Sequence, residues 1–454
     1  AAAEMVVVEM AAAETAAAEK AAAERAVVEM AAAERAAAER AAAERAAAER
    51  AAAEREAAER DAAMEEATSA AAAKEEEEER AQDYLPYHRP PLSKDFLKQN
   101  VAIEKLSFKS SDFYKEQNIF LNLNTRIDFI DLESNYATAK DTSFDFDYLV
   151  FATGASPRLL PMENADAKNL FYLRQITDVL SIQKSIGSVK NIVLIGGGYI
   201  GLEVASAMID LGLNVIILEA EERILQRVTS PDVSKFYNDF HTKKGVEIIC
   251  NARVSSLNAE NKLINSVSLE SGESISADMV LAGIGAIPNT QLADSIGLEC
   301  ENGIKTDQYC RTSTPNILAV GDCTSSFNTL FNKEFRLESV PNALAQSKVA
   351  SSSIIGNELF NNEMPWFWSD QYDLKLQMAG LSSGYDECHI IGEIDSAEFI
   401  ACYGKDGYLI AVDSVNQSKQ FMLFKKALGN GFQLKMSLIK DKNFQPESIF
   451  SGSN

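Results

Sequence analysis

Asn191-Ile-Val-Leu-Ile195-Gly-Gly-Gly198-Tyr-Ile-Gly201-Leu-Glu203 is the stretch on which the reading of this chain turns. Asn191–Ile195 is a short, β-branched, apolar run, the pattern of a parallel strand covered on both faces. It runs directly into Gly196, Gly198 and Gly201, which satisfy G-x-G-x-x-G. Leu202 to Leu211 continue at helical spacing, Gly212 ends them, and Val215 to Leu218 form a second apolar run closed by Glu219. Gly196 permits the tight turn from strand to helix. Gly198 lets a pyrophosphate approach the backbone without meeting a Cβ, and Gly201 lets helix and strand pack closely. Tyr199 and Ile200 stand where the helix offers unpaired N–H groups and a positive dipole end to phosphates. Glu219 can accept hydrogen bonds from a ribose diol and would repel a 2′-phosphate. Strand, helix, strand and acid in this order therefore predict a dinucleotide site that favours NADH over NADPH. Arg223 and Arg227 lie close enough in sequence to accept a 2′-phosphate, so the opposite preference stays open.

Working outward toward the N-terminus, the character of the chain changes. Residues 1–60 repeat a pentapeptide, mostly Ala-Ala-Ala-Glu-Arg, and residues 61–80 keep the bias and end in the acidic run Glu75 to Glu79. Such residues favour helix, but a period of five does not match 3.6, so no apolar stripe builds up and such a helix has little reason to pack. Composition shifts at Asp83. Tyr84 to Lys94 is proline-rich and reads as an ordered loop, because proline fixes φ and blocks helix. Strand-like runs follow at Ile127 to Leu132 and Phe146 to Phe151, the second leading into Ala152-Thr-Gly154. Gly154 is the first glycine in the chain.

Bulk properties exclude several classes. The 454 residues suffice for two or three domains, and 46% hydrophobic content supports an ordinary core. The formal net charge is −24, against non-specific nucleic-acid binding, which needs clustered Lys and Arg. No run is apolar for the roughly 20 residues of a membrane span, and no tripartite leader is visible. The six cysteines, first at Cys250, lack C-x-x-C or C-x4-C spacing, and His88, His241 and His389 have no partners at metal spacing. The expectation is a soluble, cytoplasmic protein with reduced thiols and no metal.

From Tyr84 onward the chain resembles the ferredoxin reductase group of FAD-dependent pyridine nucleotide oxidoreductases, which includes putidaredoxin and rubredoxin reductases and apoptosis-inducing factor. Arg89-Pro-Pro91-Leu-Ser-Lys94 resembles the family's flavin-side loop, and Ala152-Thr153-Gly154 its strand-end turn. Gly196 to Gly201 with Glu203 is similar to its NADH site. Gly283-Ile-Gly285-Ala-Ile-Pro-Asn289 resembles the return into the FAD domain, and Ala319-Val-Gly-Asp322 the segment whose aspartate holds the ribityl chain. Glu338-Ser-Val340-Pro-Asn-Ala343 and Pro365-Trp-Phe-Trp368-Ser-Asp370 resemble segments near the isoalloxazine and nicotinamide. Val415 to Leu428 resembles the last part of the C-terminal domain.

The resemblance implies an α/β fold of two Rossmann-like three-layer domains and a smaller α+β domain. An FAD domain (81–162 and 284–360) is split by an NAD domain (163–283), and 361–454 follow as the C-terminal domain. It further implies that hydride passes from NADH to FAD, and electrons then pass singly to a small ferredoxin- or rubredoxin-type iron–sulfur protein. Carried over by position, Lys94 and Glu203 form an ion pair beside the flavin, and Glu338 and Trp368 border the nicotinamide. A cluster of lysines at 419, 425, 426, 435, 440 and 442 is a candidate docking patch. The chain departs from the family before Tyr84. There the first G-x-G-x-x-G, which would hold the ADP half of FAD, is replaced by the Ala/Glu/Arg tract. Two alternatives follow: a disulfide-reductase or oxidase, disfavoured because no cysteine precedes Cys250, and an NADH-binding or interaction protein with impaired FAD binding and little turnover.

Overall fold

A computed structural model describes residues 83–357 and 359–450. The helical expectation for 1–80 lies outside these residues. The described chain has two Rossmann-like α/β domains and a smaller α+β domain at its C-terminal end.

The nicotinamide-type domain is built on a five-stranded parallel sheet in the order Leu170–Tyr172, Met279–Ala282, Asn191–Ile195, Asn214–Leu218, Glu247–Ile249. Asn191–Ile195 is central because it is apolar on both faces, and Ile192, Val193 and Leu194 are buried. The first glycine-motif helix, Tyr199–Asp210, starts three residues before the sequence reading placed it, with Gly198 as its N-cap. A helix's first N–H groups need no intrahelical partner, so the glycine motif can lie within its first turn. Residues 201–208 are all buried, the mark of a helix covered on all sides. It packs on its own sheet, on the strand Trp366–Gln371 and on the turn Pro90–Ser93.

That turn corrects the reading of Tyr84 to Lys94 as loop throughout: Pro90–Ser93 is a 3-10 turn with proline in its first positions. Proline is tolerated there because the missing N–H would be unpaired anyway. The two strand-like runs are also shorter than read. Phe129–Asp131 and Leu149–Phe151 are the strands, while Phe146 instead donates its N–H to the Asn135 carbonyl, 2.9 Å away. Leu149–Phe151 pairs in parallel with Ile317–Ala319, so the two halves of the split domain meet in one ladder. Ala155–Pro157 and Ala286–Pro288 pair antiparallel, placing the outgoing and returning connections side by side.

The C-terminal domain is a five-stranded antiparallel sheet in the order Trp366–Gln371, Leu374–Gly380, Tyr408–Val415, Glu398–Lys405, Glu387–Glu393. The helix Ser418–Gly429 packs on it through Phe421, Phe424 and Ala427. Asp413, on an inner strand, is buried at 3% exposure and accepts a hydrogen bond from the Tyr403 hydroxyl. That hydroxyl also accepts from the Ser230 N–H at 2.9 Å, at the start of the helix Pro231–Lys243. Burial pushes the Asp413 carboxyl up to about 7, partly offset by the Tyr403 bond. A folded-state value raised above 3.8 means that stability is lost as pH rises from there to about 7. Asp413→Asn is therefore expected to raise stability by roughly 1–4 kcal/mol at pH 8 and by little at pH 4. Urea unfolding at both pH values checks this; equal effects at the two would mean that ionisation of Asp413 is not the cause.

Candidate active site

The dinucleotide turn has the geometry that its glycines predict. Gly196 sits at φ +109°, and a Cβ there would lie 2.4 Å from the Gly283 carbonyl oxygen. A Cβ on Gly201 would lie 2.2 Å from the Gly196 oxygen. Both distances are impossible for real side chains, so the backbones touch where only hydrogen fits. Gly198 differs: nothing of the protein lies within 4 Å of its would-be Cβ. Its open face belongs to a cleft of about 490 Å³ lined by Gly196–Tyr199, Glu219, Arg227, Arg253 and Ile284. Ile200, at 44% exposure, heads the same helix.

Glu219 is fixed at the end of its strand. One carboxylate oxygen accepts from the Gly197 N–H at 2.7 Å, the other from the Glu221 N–H at 2.9 Å. Each oxygen keeps a lone pair for a further donor. Arg223 is withdrawn from competition: its guanidinium donates to the carbonyls of Gln226, Thr229 and Ser230 at 3.1, 2.9 and 3.4 Å. Arg227 is exposed on the cleft rim.

A second cluster is centred on Glu203 of the same helix. The Pro90–Ser93 turn delivers Lys94, whose Nζ is 3.0 Å from Glu203 Oε1. Glu203, only 6% exposed, also accepts from the hydroxyls of Ser93 and, at 2.7 Å, Ser369. The Pro91 carbonyl accepts from the N–H groups of Lys94 and Phe96 at 3.1 and 3.0 Å, holding the turn closed. Arg89 donates to the Arg174 carbonyl at 2.8 Å, and Arg174 Nη2 is 2.6 Å from Asp322 Oδ2. Asp322 stands in the 3-10 turn Gly321–Cys323 rather than at a longer helix. Gly154, at φ +71°, faces this pair, its would-be Cβ 3.6 Å from Arg174 Nη2. Asn289 clasps the Ala152–Gly154 turn: its carbonyl accepts from the Thr153 hydroxyl at 2.7 Å, its amide donates to the Thr153 carbonyl at 3.0 Å, and its N–H donates to the Gly154 carbonyl at 3.0 Å. Gly285, at φ +114°, turns the returning chain, and its carbonyl accepts from the Arg158 N–H at 2.9 Å.

The structure thus brings together Gly196 to Gly201 with Glu219, Lys94 with Glu203, and Arg89 with Gly154 and Asp322. Glu338 and Trp368 have separate partners. Glu338 pairs with Arg336, Trp368 stacks on Trp366 at 5.5 Å, and Val340 begins the helix Val340–Ile354. Arg174, Asn289, Ser369 and Gln371 were not singled out from sequence. Arg174 had a legible signal, a cation just past the carboxyl end of the strand Leu170–Tyr172, where open α/β sheets bind ligands.

Two features fit the flavin side of FAD. Arg174 Nε is buried without a partner among the described residues, a donor left for a ligand. Beside it, Asp322 offers an acceptor. The stretch before Tyr84, where the ADP-binding motif of the family is replaced by the Ala/Glu/Arg tract, lies outside the described residues up to Gln82. Among the described residues no three His, Cys, Asp or Glu side chains group as a metal site would require, and no helix is long and apolar enough to cross a membrane. All six cysteines are free.

Comparison with known proteins agrees with this geometry. Residues 46–347 match the family Pyridine nucleotide-disulphide oxidoreductase, and residues 366–449 match Reductase C-terminal. A putidaredoxin reductase from Pseudomonas putida is 36% identical over 81% of this chain and 89% of its own length. The chain belongs to the ferredoxin, rubredoxin and putidaredoxin reductase family of pyridine nucleotide oxidoreductases. A rubredoxin-NAD(+) reductase from Pseudomonas putida is also 36% identical, over 77% of this chain and 90% of its own. Among solved structures, the covalent putidaredoxin reductase–putidaredoxin complex superposes with a TM-score of 0.79 at 36% identity, covering 82% of this chain and 90% of the other. A ferredoxin reductase from Rhodopseudomonas palustris gives the same TM-score at 34% identity, covering 81% and 91%. Members of this family are NAD(H)-dependent flavin reductases that pass electrons to ferredoxin- or rubredoxin-type acceptors.

Two glycines separate folding from binding. Gly201→Ala is expected to destabilise the fold by about 2–4 kcal/mol, because its methyl meets backbone. Gly198→Ala is expected to leave stability within about 1 kcal/mol while weakening NADH binding at least tenfold. Thermal unfolding and nucleotide titration of both variants check this; an unweakened Gly198→Ala would remove the pyrophosphate from that cleft.

Proposed function

We propose that this chain is an NADH-dependent flavoprotein reductase that passes electrons, by way of FAD, to a small iron–sulfur protein of ferredoxin or rubredoxin type. The observation that carries the reading is the pairing of two clusters at one helix: the dinucleotide turn with Glu219 at its N-terminus, and Lys94 with buried Glu203 on its second turn. FAD, when bound, supplies the hydride acceptance from nicotinamide and the release of electrons one at a time.

The chain's own residues would act as follows. The N–H groups at Gly198 to Ile200 and the helix dipole hold the dinucleotide phosphates. Glu219, already fixed by two backbone N–H groups, accepts from the ribose diol and disfavours a 2′-phosphate, which supports NADH over NADPH. Arg174 and Asp322 hold the polar chain of the flavin cofactor, with Arg89 and Pro91 shaping the approach. Lys94 sets a positive charge in a partly buried setting, where it acts more strongly than in water. Trp368 and Glu338 border the nicotinamide side. Free cysteines throughout suit a reducing, cytoplasmic setting.

The relatives' named partners, putidaredoxin and rubredoxin, support an iron–sulfur acceptor. The C-terminal lysines would meet it. Lys425 Nζ lies 4.0 Å from the centre of the Trp366 ring, which stacks on Trp368, and Lys426 lies over Phe450 at 4.9 Å. Reversing charge at Lys425 and Lys426 is expected to slow reduction of an acidic ferredoxin at least tenfold at low salt and to spare a small dye. Equal slowing of both acceptors would place these lysines outside the docking surface.

Glu219→Ala is expected to weaken NADH and to narrow its advantage over NADPH; an unchanged preference would take the carboxylate off the ribose. The test of the whole reading is the visible spectrum of the purified chain before and after FAD and then NADH. Flavin bands near about 450 nm that bleach with NADH support the reductase. Retained NADH binding with FAD refused overturns it in favour of a nicotinamide-binding protein without turnover.

A further inference from the structure

A row of buried polar side chains leaves Glu203 in the direction away from Lys94. Ser369 Oγ is 2.7 Å from Glu203 Oε1, Gln371 Nε2 is 3.1 Å from Ser369 Oγ, and His241 Nε2 is 2.8 Å from Gln371 Oε1. Ser369 and Gln371 share one face of the strand Trp366–Gln371, as alternate residues do. Exposures are 6% for Glu203, 0% for Ser369, 1% for Gln371 and 0% for His241. The row joins the helix Pro231–Lys243, the C-terminal sheet, the first glycine-motif helix and, through Ser93 and Lys94, the Pro90–Ser93 turn.

Its direction is forced. An ionised carboxylate only accepts, so the Ser369 hydroxyl donates to Glu203. The Ser369 lone pair then accepts from the Gln371 amide N–H, which turns the Gln371 carbonyl to His241. His241 must donate there, so its proton sits on Nε2. His241 Nδ1 agrees: it is buried with no partner among the described residues, tolerable for a lone pair and costly for an N–H. Burial holds the His241 imidazole neutral, down to about 4, against the Gln371 bond that raises it.

We propose that Ser369 and Gln371 are positioning residues of the reductase site, forming with His241 a one-way hydrogen-bond row that fixes Glu203 and limits how much of the Lys94 charge it neutralises. The proposal rests on the reading that Lys94 and Glu203 act beside a bound flavin. Each donor accepted by Glu203 draws on the same negative charge. Losing the Ser369 hydroxyl draws Glu203 harder onto Lys94 and mutes the cation, which disfavours the electron-rich reduced flavin.

Two measurements test it on the full chain. Reductive titration of the FAD-loaded protein is expected to show that Ser369→Ala shifts the reduced/oxidised equilibrium about tenfold toward oxidised, about 30 mV for a two-electron couple. The same substitution in a Glu203→Gln background is expected to shift it by less than about twofold. No shift in the wild-type background, or equal shifts in both, overturns the proposal. The second measurement needs no flavin: nitrogen NMR of 15N-histidine-labelled chain. His241 is expected as the Nε2–H tautomer at pH 7. An Nδ1–H tautomer, or a mixture of the two, overturns the row. A wild-type chain that refuses FAD defeats the reductase reading alone, because the tautomer still reports the direction of the row.

Discussion

Glu203 lies on the second turn of a helix buried on all sides, and a charge there must be matched on the spot or the helix could not pack. Three donors match it, and they come from two other parts of the chain. Ser93 and Lys94 arrive from the Pro90–Ser93 turn and its cap, and Ser369 from the first strand of the C-terminal sheet. The carboxylate is therefore satisfied only when both regions have assembled around the helix. This is a constraint of specificity more than of stability. An apolar residue of similar volume could fill the space, but it would not require a hydroxyl and an ammonium at defined places.

The helix can serve as this hub because its N-terminal turn, just before Glu203, is fixed by backbone rather than side chains. Gly196 rests against Gly283 and Gly201 rests against Gly196, so the strand, the turn and the helix are locked at distances that admit no Cβ. Gly197 adds a polar lock by donating to Glu219. The glycine turn that lines the nucleotide cleft and the Lys94–Glu203 pair then belong to one rigid element. Their relative position follows from helix geometry, as a site that must align two ring systems requires.

Much of this was legible before the fold was known, for a physical reason: glycine spacing reports backbone approach. Asn191–Ile195 is the strand that the apolar run announced, and Glu219 stands at the end of the next strand. Resemblance added the Lys94–Glu203 pair, which the structure joins at 3.0 Å. Other features left fainter traces. Pro90–Ser93 was read as loop because proline blocks helix interiors, yet a single 3-10 turn has no interior to block. Ser369 and Gln371 look like ordinary polar positions in a half-buried strand. What makes them special is Glu203, 166 residues from Ser369, and His241, 130 residues from Gln371. Asn289 likewise acts on Thr153 across 136 residues. A single sequence carries the residue types but not the pairing.

The contact between the nicotinamide-type domain and the C-terminal sheet shows one more consequence of burying polar groups. His241 and Asp413 both lie there, each hydrogen-bonded in a row that crosses into the other domain, and burial moves them in opposite directions. His241, neutral in the fold down to about 4, takes up its proton more readily when unfolded, so stability falls as pH drops from 6.5 to about 4. Asp413 holds its proton in the fold up to about 7, so stability falls as pH rises from 3.8 to about 7. Across the shared interval each group contributes a slope near 1.4 kcal/mol per pH unit, about the value of 2.303RT, and the two slopes have opposite sign. They oppose each other. The domain contact thus carries two buried titratable groups whose pH dependences pull in opposite directions, so that either one alone would leave a steeper dependence than the pair.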